Sequence, residues 1–199
     1  IRNRDADYKY RQDSDFYYLT GFAEPESVLV LSNKAVHANF VLFCRERDPT
    51  KEQWEGVRAG TAGAVRIYSA DTAYCIDQLD HELPQLIANS DNVYARFNQA
   101  YPPTHNHIGH FLAVLASQAR AGIRAPAGIL SADALINPQR LIKDSHEIAR
   151  MQAAANISAQ AHINAMQNVK AGMAEYTLQA HVEFEFIKHG CQCAYTSIV

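Results

Sequence analysis

Apolar residues fall into short β-like runs and longer helical stripes along the chain. Ser27–Ser32 and Asn39–Cys44 are rich in β-branched and aromatic residues and are separated by a polar stretch, the pattern of a hairpin. Val65–Tyr68 and Val93–Phe97 read as further strands. Between these two, Ile76, Leu79, Leu83 and Leu86 recur at helical spacing, with Pro84 breaking or restarting the helix. Ile108, Phe111, Leu112, Leu115 and Ala119 form a second stripe that Gly122 stops. Thr50-Lys-Glu-Gln53 has capping-box spacing ahead of Trp54, which predicts a short helical turn there. Strands alternating with amphipathic helices predict an α/β domain, a sheet covered by helices.

Ala125-Pro-Ala-Gly128 and Asn137-Pro138 punctuate a boundary, and the texture changes beyond them. Asp144-Ser-His-Glu147 has the form of a capping box opening a long Ala-rich helix. Ile148, Met151, Ala155, Ala159, His162 and Met166 are expected near one face of it, and Lys170-Ala-Gly172 ends it. A second helix runs from about Ala174 to Gly190 with Leu178, Val182 and Phe186 on one stripe. No partner sheet for these two helices can be found in the remaining residues. The division is therefore residues 1–138, one α/β domain, and residues 139–199, the start of another.

Composition narrows the classes. The 199 residues are 48% hydrophobic and 20% charged, as in an ordinary globular protein. A net charge of −3 advertises neither nucleic acid nor an anionic membrane as a partner. The longest apolar runs, such as Phe40–Cys44, are far short of the ~20 residues that span a bilayer. Cys44, in a strand-like run, and Cys75, in a helix-like one, read as buried thiols, which suits the cytoplasm. The chain opens on Ile1 instead of Met, which reads as a missing natural N-terminus.

The run from Asp7 to Glu26, DYKYRQDSDFYYLTGFAEPE, sets Tyr8, Tyr10, Phe16, Tyr17 and Tyr18 among charges and releases into Val28–Leu31. It closely resembles the opening segment of the Xaa-Pro aminopeptidase (aminopeptidase P) family. Arg140–Ala154 and Gly172–Gly190 resemble the first helices of that family's pita-bread metallopeptidase domain, and Tyr195-Thr-Ser-Ile-Val199 resembles the strand after them. The resemblance implies a creatinase/aminopeptidase P-like N-terminal α/β domain with a mixed sheet, followed by an incomplete α+β pita-bread domain. It implies a proline-specific metalloaminopeptidase acting on proline-containing peptides as a homo-oligomer, dimer or tetramer. It also implies two divalent metal ions, usually manganese, held by two Asp, a His and two Glu. All of these ligands are expected after Val199, so no catalytic residue and no metal is expected in this chain. Prolidase-like or creatinase-like hydrolases remain open, as does a non-catalytic pita-bread module that binds peptides.

The resemblance singles out two residues. Trp54, the sole tryptophan, corresponds to one that reaches a neighbouring subunit's active site, where its ring would wall the substrate proline; it reads equally as a ring packed on its own domain. Tyr195 corresponds to a tyrosine whose hydroxyl supports the metal-binding shell; otherwise it is a core strand aromatic. The residues themselves suggest a few other candidates. His105, His107 and His110 could supply three imidazoles to zinc, although they lack Cys or carboxylate companions. Glu183 and Glu185 are two apart on a helix and so point different ways, as surface charges do. Cys191-Gln-Cys193 is a weak C-x-C pair, and His162 reads as a hydrogen-bonded core histidine.

Overall fold

A computed structural model describes residues 2–3, 6–7, 9–34, 38–96 and 104–198, with backbone alone for 2–3, 6–7 and 104–107. It divides into two compact units, residues 1–136 and 137–199.

The first unit is α/β. Two-residue strands β1 (Arg2–Asn3) and β2 (Ala6–Asp7) pair antiparallel ahead of helix α1 (Ser14–Thr20). Asp13 caps α1 by accepting the N–H groups of Asp15 and Phe16, and Gly21 closes it at φ 65°, a left-handed geometry that glycine takes without strain. Strand β3 (Val28–Leu31) pairs antiparallel with β4 (Phe40–Cys44), the hairpin that the alternation predicts. Helices α2 (Pro49–Glu55) and α3 (Gly60–Tyr68) then lead to β5 (Thr72–Cys75), which lies parallel to β4. The sheet is thus mixed, in the order β3-β4-β5. A 3-10 turn (Ile76–Gln78) opens α4 (Leu79–Ile87), and Pro84 lies inside that helix. Strand β6 (Asn92–Ala95) pairs parallel with β7 (Gly128–Ser131), and α5 (Thr104–Ser117) lies between them in the chain.

Alternation along β4 sends its side chains to two cores. Leu42 and Cys44 pack with Phe22, Ala64 and Ala70 on the α3 side. Val41 and Phe43 pack with Leu86, Val28 and Tyr74 on the other. A third cluster, Ile87, Phe111 and Leu115, joins α4 to α5 under Val93. Of the aromatic run, Phe16 joins the first core, Tyr10, Tyr17 and Tyr18 stay exposed, and Tyr8 lies outside the described residues.

Several local expectations are corrected. Val65–Tyr68 is the end of α3, with Val65 and Ile67 outside and small Ala64 buried against β4. Close helix–sheet packing, which puts small Ala64 against Leu42 and Cys44, overrides the β-branched pattern. Cys75 ends a strand instead of sitting in a helix. Asp48, not Thr50, caps α2, accepting the N–H groups of Thr50 and Lys51 with Pro49 in the first turn. Helix α5 starts at Thr104, ahead of the expected start near Ile108. The punctuated stretch Ala125–Pro138 holds β7 and most of α6 (Asp133–Leu141), with Pro138 inside the helix.

The second unit is a helix pair, α7 (Ser145–Asn168) and α8 (Glu175–Lys188). The capping box is formed: Asp144 accepts from the Glu147 N–H at 2.8 Å while Glu147 accepts from the Asp144 N–H at 2.9 Å. The stripe of α7, for which the remaining residues offer no partner sheet, stands uncovered, with Ile148, Met151, Ala155, Ala159, His162 and Met166 all exposed. The buried positions are Ala161 and Ala165, whose lack of bulk lets helices approach closely. Leu178, Val182 and Phe186 of α8 are half-buried.

Candidate functional site

Trp54 stands on α2 at 88% exposure and so is not packed on its own domain. Its helix is short, and charges fix it at both ends. Arg47 grips Glu52 in a two-pronged contact, Nε at 2.7 Å and Nη2 at 2.8 Å. Arg58 donates to Glu55 at 2.6 Å, and Arg45 reaches the same carboxylate at 3.2 Å. Behind the helix lies a cleft of about 500 Å³. Arg45, Arg47, Lys51 and Arg58 line it against Glu26, Glu46, Asp48, Glu55 and Asp77, with Cys75 at its wall.

These contacts shift the carboxylates. Arg58's hydrogen bond holds Glu55 below the ordinary range. Arg47's does the same for Glu52, and the Lys51 N–H chiefly lowers Asp48. Glu24 accepts the Ala59 N–H at 2.6 Å and lies 3.8 Å from Arg45. The second oxygen of Glu24 and the Nε atoms of Arg45 and Arg58 are buried without a hydrogen-bond partner. Neighbouring charges therefore hold this cluster together more than a complete hydrogen-bond network does. It can position α2 and bind a charged group, and it contains no Ser-His or Cys-His dyad with which to start hydrolysis.

Elsewhere in the first unit Arg96 gathers acids from distant parts of the chain. It meets Asp13 at 2.9 Å, Asp15 at 2.7 Å and Asp133 at 3.5 Å, tying the cap of α1 to the β6 and β7 ends. Half-buried Glu24 and buried Arg58 and Asp15 escape sequence reasoning because their partners are scattered along the chain and no period marks them. Glu24 and Asp15 do fall within the Asp7–Glu26 run, the one signal that could have flagged them.

The other candidates are not brought together. The side chains of His105 and His107 lie outside the described residues; His110 is exposed and edge-on to Phe111 at 5.8 Å. Among the described residues no three His, Cys, Asp or Glu side chains are grouped so as to hold a metal ion. Tyr195 is 78% exposed in a bend, and residues 191–198 form no strand. The strand that the resemblance implies here is not formed, and the alternative reading of Tyr195 as a core strand aromatic does not hold: no neighbouring strand lies beside this segment among the described residues to pair with it. Cys193 sits 3.7 Å from the Ser197 hydroxyl, which donates to Glu183 at 2.9 Å, while Cys191 is exposed.

Two readings on the helix pair are reversed. Glu185 is buried at 2% exposure, not on the surface. Asn164 of α7 donates to it at 3.1 Å, and Lys188 lies 3.2 Å away, so one carboxylate bolts α8 to α7. His162 is exposed instead of core, its Nδ1 2.7 Å from the Ser158 carbonyl oxygen.

Comparison with known proteins accounts for both units. Residues 1–94 match the family described as aminopeptidase P, N-terminal domain, and residues 149–199 match metallopeptidase family M24. The chain is 38% identical over its whole length to the Xaa-Pro aminopeptidase of Escherichia coli, of which it spans 45%. Its fold superposes on Pseudomonas aeruginosa aminopeptidase PepP with a TM-score of 0.91 at 46% identity, covering 96% of this chain and 43% of that one. It likewise matches zinc-substituted E. coli aminopeptidase P in complex with product, with a TM-score of 0.88 at 37% identity over 96% of this chain and 43% of that one.

Proposed function

The chain belongs to the aminopeptidase P family, an N-terminal domain of that family joined to a stretch of M24 metallopeptidase domain, and from that premise we propose that it forms part of a metal-dependent Xaa-Pro aminopeptidase. The enzyme would release the first residue of peptides with proline in second position. Such a bond calls for a dedicated enzyme because the imide has no N–H and the ring fixes φ. The observation that carries this reading is likeness over the entire chain to an Xaa-Pro aminopeptidase, across both units.

The residues present do not fit a metal centre, since no ligand group forms among those described. No hydrolytic step is therefore assigned to them. In this reading manganese, two ions per site, is held by M24 residues other than these. The work of the present chain is to shape and present. Trp54 extends from α2 into the site of a neighbouring subunit in a homo-oligomer, and its exposure leaves it available for that contact. Tyr195 supports the metal-binding shell through its hydroxyl. No helix among the described residues is long and apolar enough to cross a membrane, and the cytoplasm is the proposed compartment.

The test is a peptidase assay with manganese on a peptide whose second residue is proline. The 199-residue chain alone is expected to release nothing. Joined to an M24 portion such as that of the E. coli relative, it is expected to release the first residue, and only when proline follows. Turnover by the chain alone, or release without regard to proline, would overturn the reading.

A further inference from the structure

Cys44 and Cys75 are free thiols at the C-terminal ends of β4 and β5. These strands are parallel, and the two cysteines are direct register partners. Partners on adjacent strands project to the same side of a sheet. Their neighbours agree: Ala73 packs with Leu42 and Cys44 on the α3 side, whereas Phe43 and Tyr74 stack on the opposite face at 5.4 Å.

Adjacent strands lie ~4.8 Å apart, inside the ~4.4–6.8 Å Cα window of a disulfide. Side chains that leave the sheet in parallel keep their Cβ atoms about as far apart as the strands, wider than the ~3.8 Å mean for a disulfide. A bond between them is reachable but strained, and strained bonds are the easily reduced ones.

The two thiols differ in access. Cys44 is wholly buried, and burial, reinforced by Glu24 and Glu46, pushes its thiol up to about 11. Cys75 is half-buried, lines the charged cleft and accepts the backbone N–H of Gln78 on its sulfur. One cysteine can meet a reagent from solution, while the other can meet only its neighbour.

We propose that Cys44 and Cys75 form a reversible intramolecular disulfide across β4 and β5, with Cys75 as the thiol that meets the oxidant and Cys44 as the resolving thiol. The oxidant is a low-molecular-weight disulfide of the glutathione class. The Cys75 thiol gives its proton to water, and its sulfur attacks one sulfur of that disulfide. The S–S bond breaks, one small thiolate leaves, and Cys75 carries the other half as a mixed disulfide. Cys44 then loses its proton, its sulfur attacks the Cys75 sulfur, and the second small thiolate departs. Each small thiolate takes up one of the released protons. The protein has lost two electrons and two protons, and the oxidant has become two thiols. The bond staples the strand ends that form the wall of the cleft behind α2.

The experiment treats the purified chain with oxidised glutathione and maps its peptides by mass spectrometry without reduction. The expected product is the Cys44 peptide linked to the Cys75 peptide, a link lost on adding dithiothreitol. In Cys44→Ser the glutathione should remain on Cys75, and in Cys75→Ser the thiol of Cys44 should stay unmodified. Circular dichroism checks that each variant is folded; if either is not, the wild-type map decides alone. Glutathione persisting on Cys75 of the wild type, no reaction at Cys75, or a link from either residue only to Cys191 or Cys193 would overturn the proposal.

Discussion

Trp54 and Arg96 show how differently a single residue can matter in this chain. Trp54 makes little use of its own domain, being 88% exposed on a helix of about two turns. Replacing a surface residue of this kind usually changes stability by no more than ~0.5 kcal/mol. Trp54→Ala is therefore expected to leave thermal unfolding of the chain almost unmoved, while lowering kcat/KM on proline peptides in an active enzyme that carries this domain. A large drop in melting temperature with unchanged kinetics would make the ring structural. Arg96 is the reverse case. It faces Asp15, which is buried, together with Asp13 and Asp133. Arg96→Leu removes that cation from an enclosed carboxylate. Full loss of a buried partner costs ~3–5 kcal/mol, and the partial exposure of Arg96 brings the expected loss to about 2–3 kcal/mol, read from urea unfolding.

Short elements here depend on their ends. The box of Asp144 and Glu147 satisfies backbone donors at the start of α7, so Asp144→Ala should destabilise the helix by about 1 kcal/mol, measured as a lower urea midpoint. Helix α2 carries its own pH dependence. Asp48, Glu52 and Glu55 are all held below their ordinary values of 3.8, 4.5 and 4.5. A carboxylate depressed by folding contributes stability that is complete above its unfolded value and is lost as the pH falls through its folded value. Stability should thus be insensitive to these groups near neutrality and decline as the pH falls below about 5, and Glu52→Gln should flatten part of that decline. A wild-type profile with no acid limb, or an unchanged one in the variant, would contradict it. Legibility also divides at this scale. The β3–β4 hairpin, α4, α5 and the α7 capping box could be read because local chemistry and period specify them. Helix α3 could not, because Val65 and Ile67 alternate like strand residues and only contact with β4 explains why Ala64 is the inward one. The face of α7 that is enclosed consists of alanines, Ala161 and Ala165, and leaves no mark in a hydrophobic stripe, which is read from bulk. Half-buried Glu24 and buried Arg58 and Glu185 carry no period at all, so their roles emerge only when the fold supplies their partners.

Across the whole molecule the two units differ in how much apolar surface they withdraw from water. The first has Phe22, Val41, Leu42, Phe43, Phe111 and Leu115 almost fully enclosed. The second encloses Ala161, Ala165 and the Glu185 bolt, and leaves Ile148, Met151, Ile163, Met166, Tyr176, Phe184 and Ile187 exposed. At ~25 cal/mol for each Å² of apolar surface buried, alanines contribute far less than the phenylalanines and leucines of the first unit. Local opening free energies follow such differences in burial. Amide hydrogen exchange on the monomeric chain should accordingly be fast across residues 145–188 and slow in β4, at Val41–Phe43. The helix interiors are hydrogen-bonded throughout, so rapid exchange there would report opening of α7 and α8 and not a lack of backbone partners. Dilution while following size by light scattering separates this from self-association, because a second copy laid on Ile148, Met151 and Phe184 would protect α7 and α8 only where dimer persists. Equal protection of β4 and both helices in a confirmed monomer would mean that the helix pair draws stability from something other than buried apolar area, with the Asn164–Glu185–Lys188 contact the first place to look.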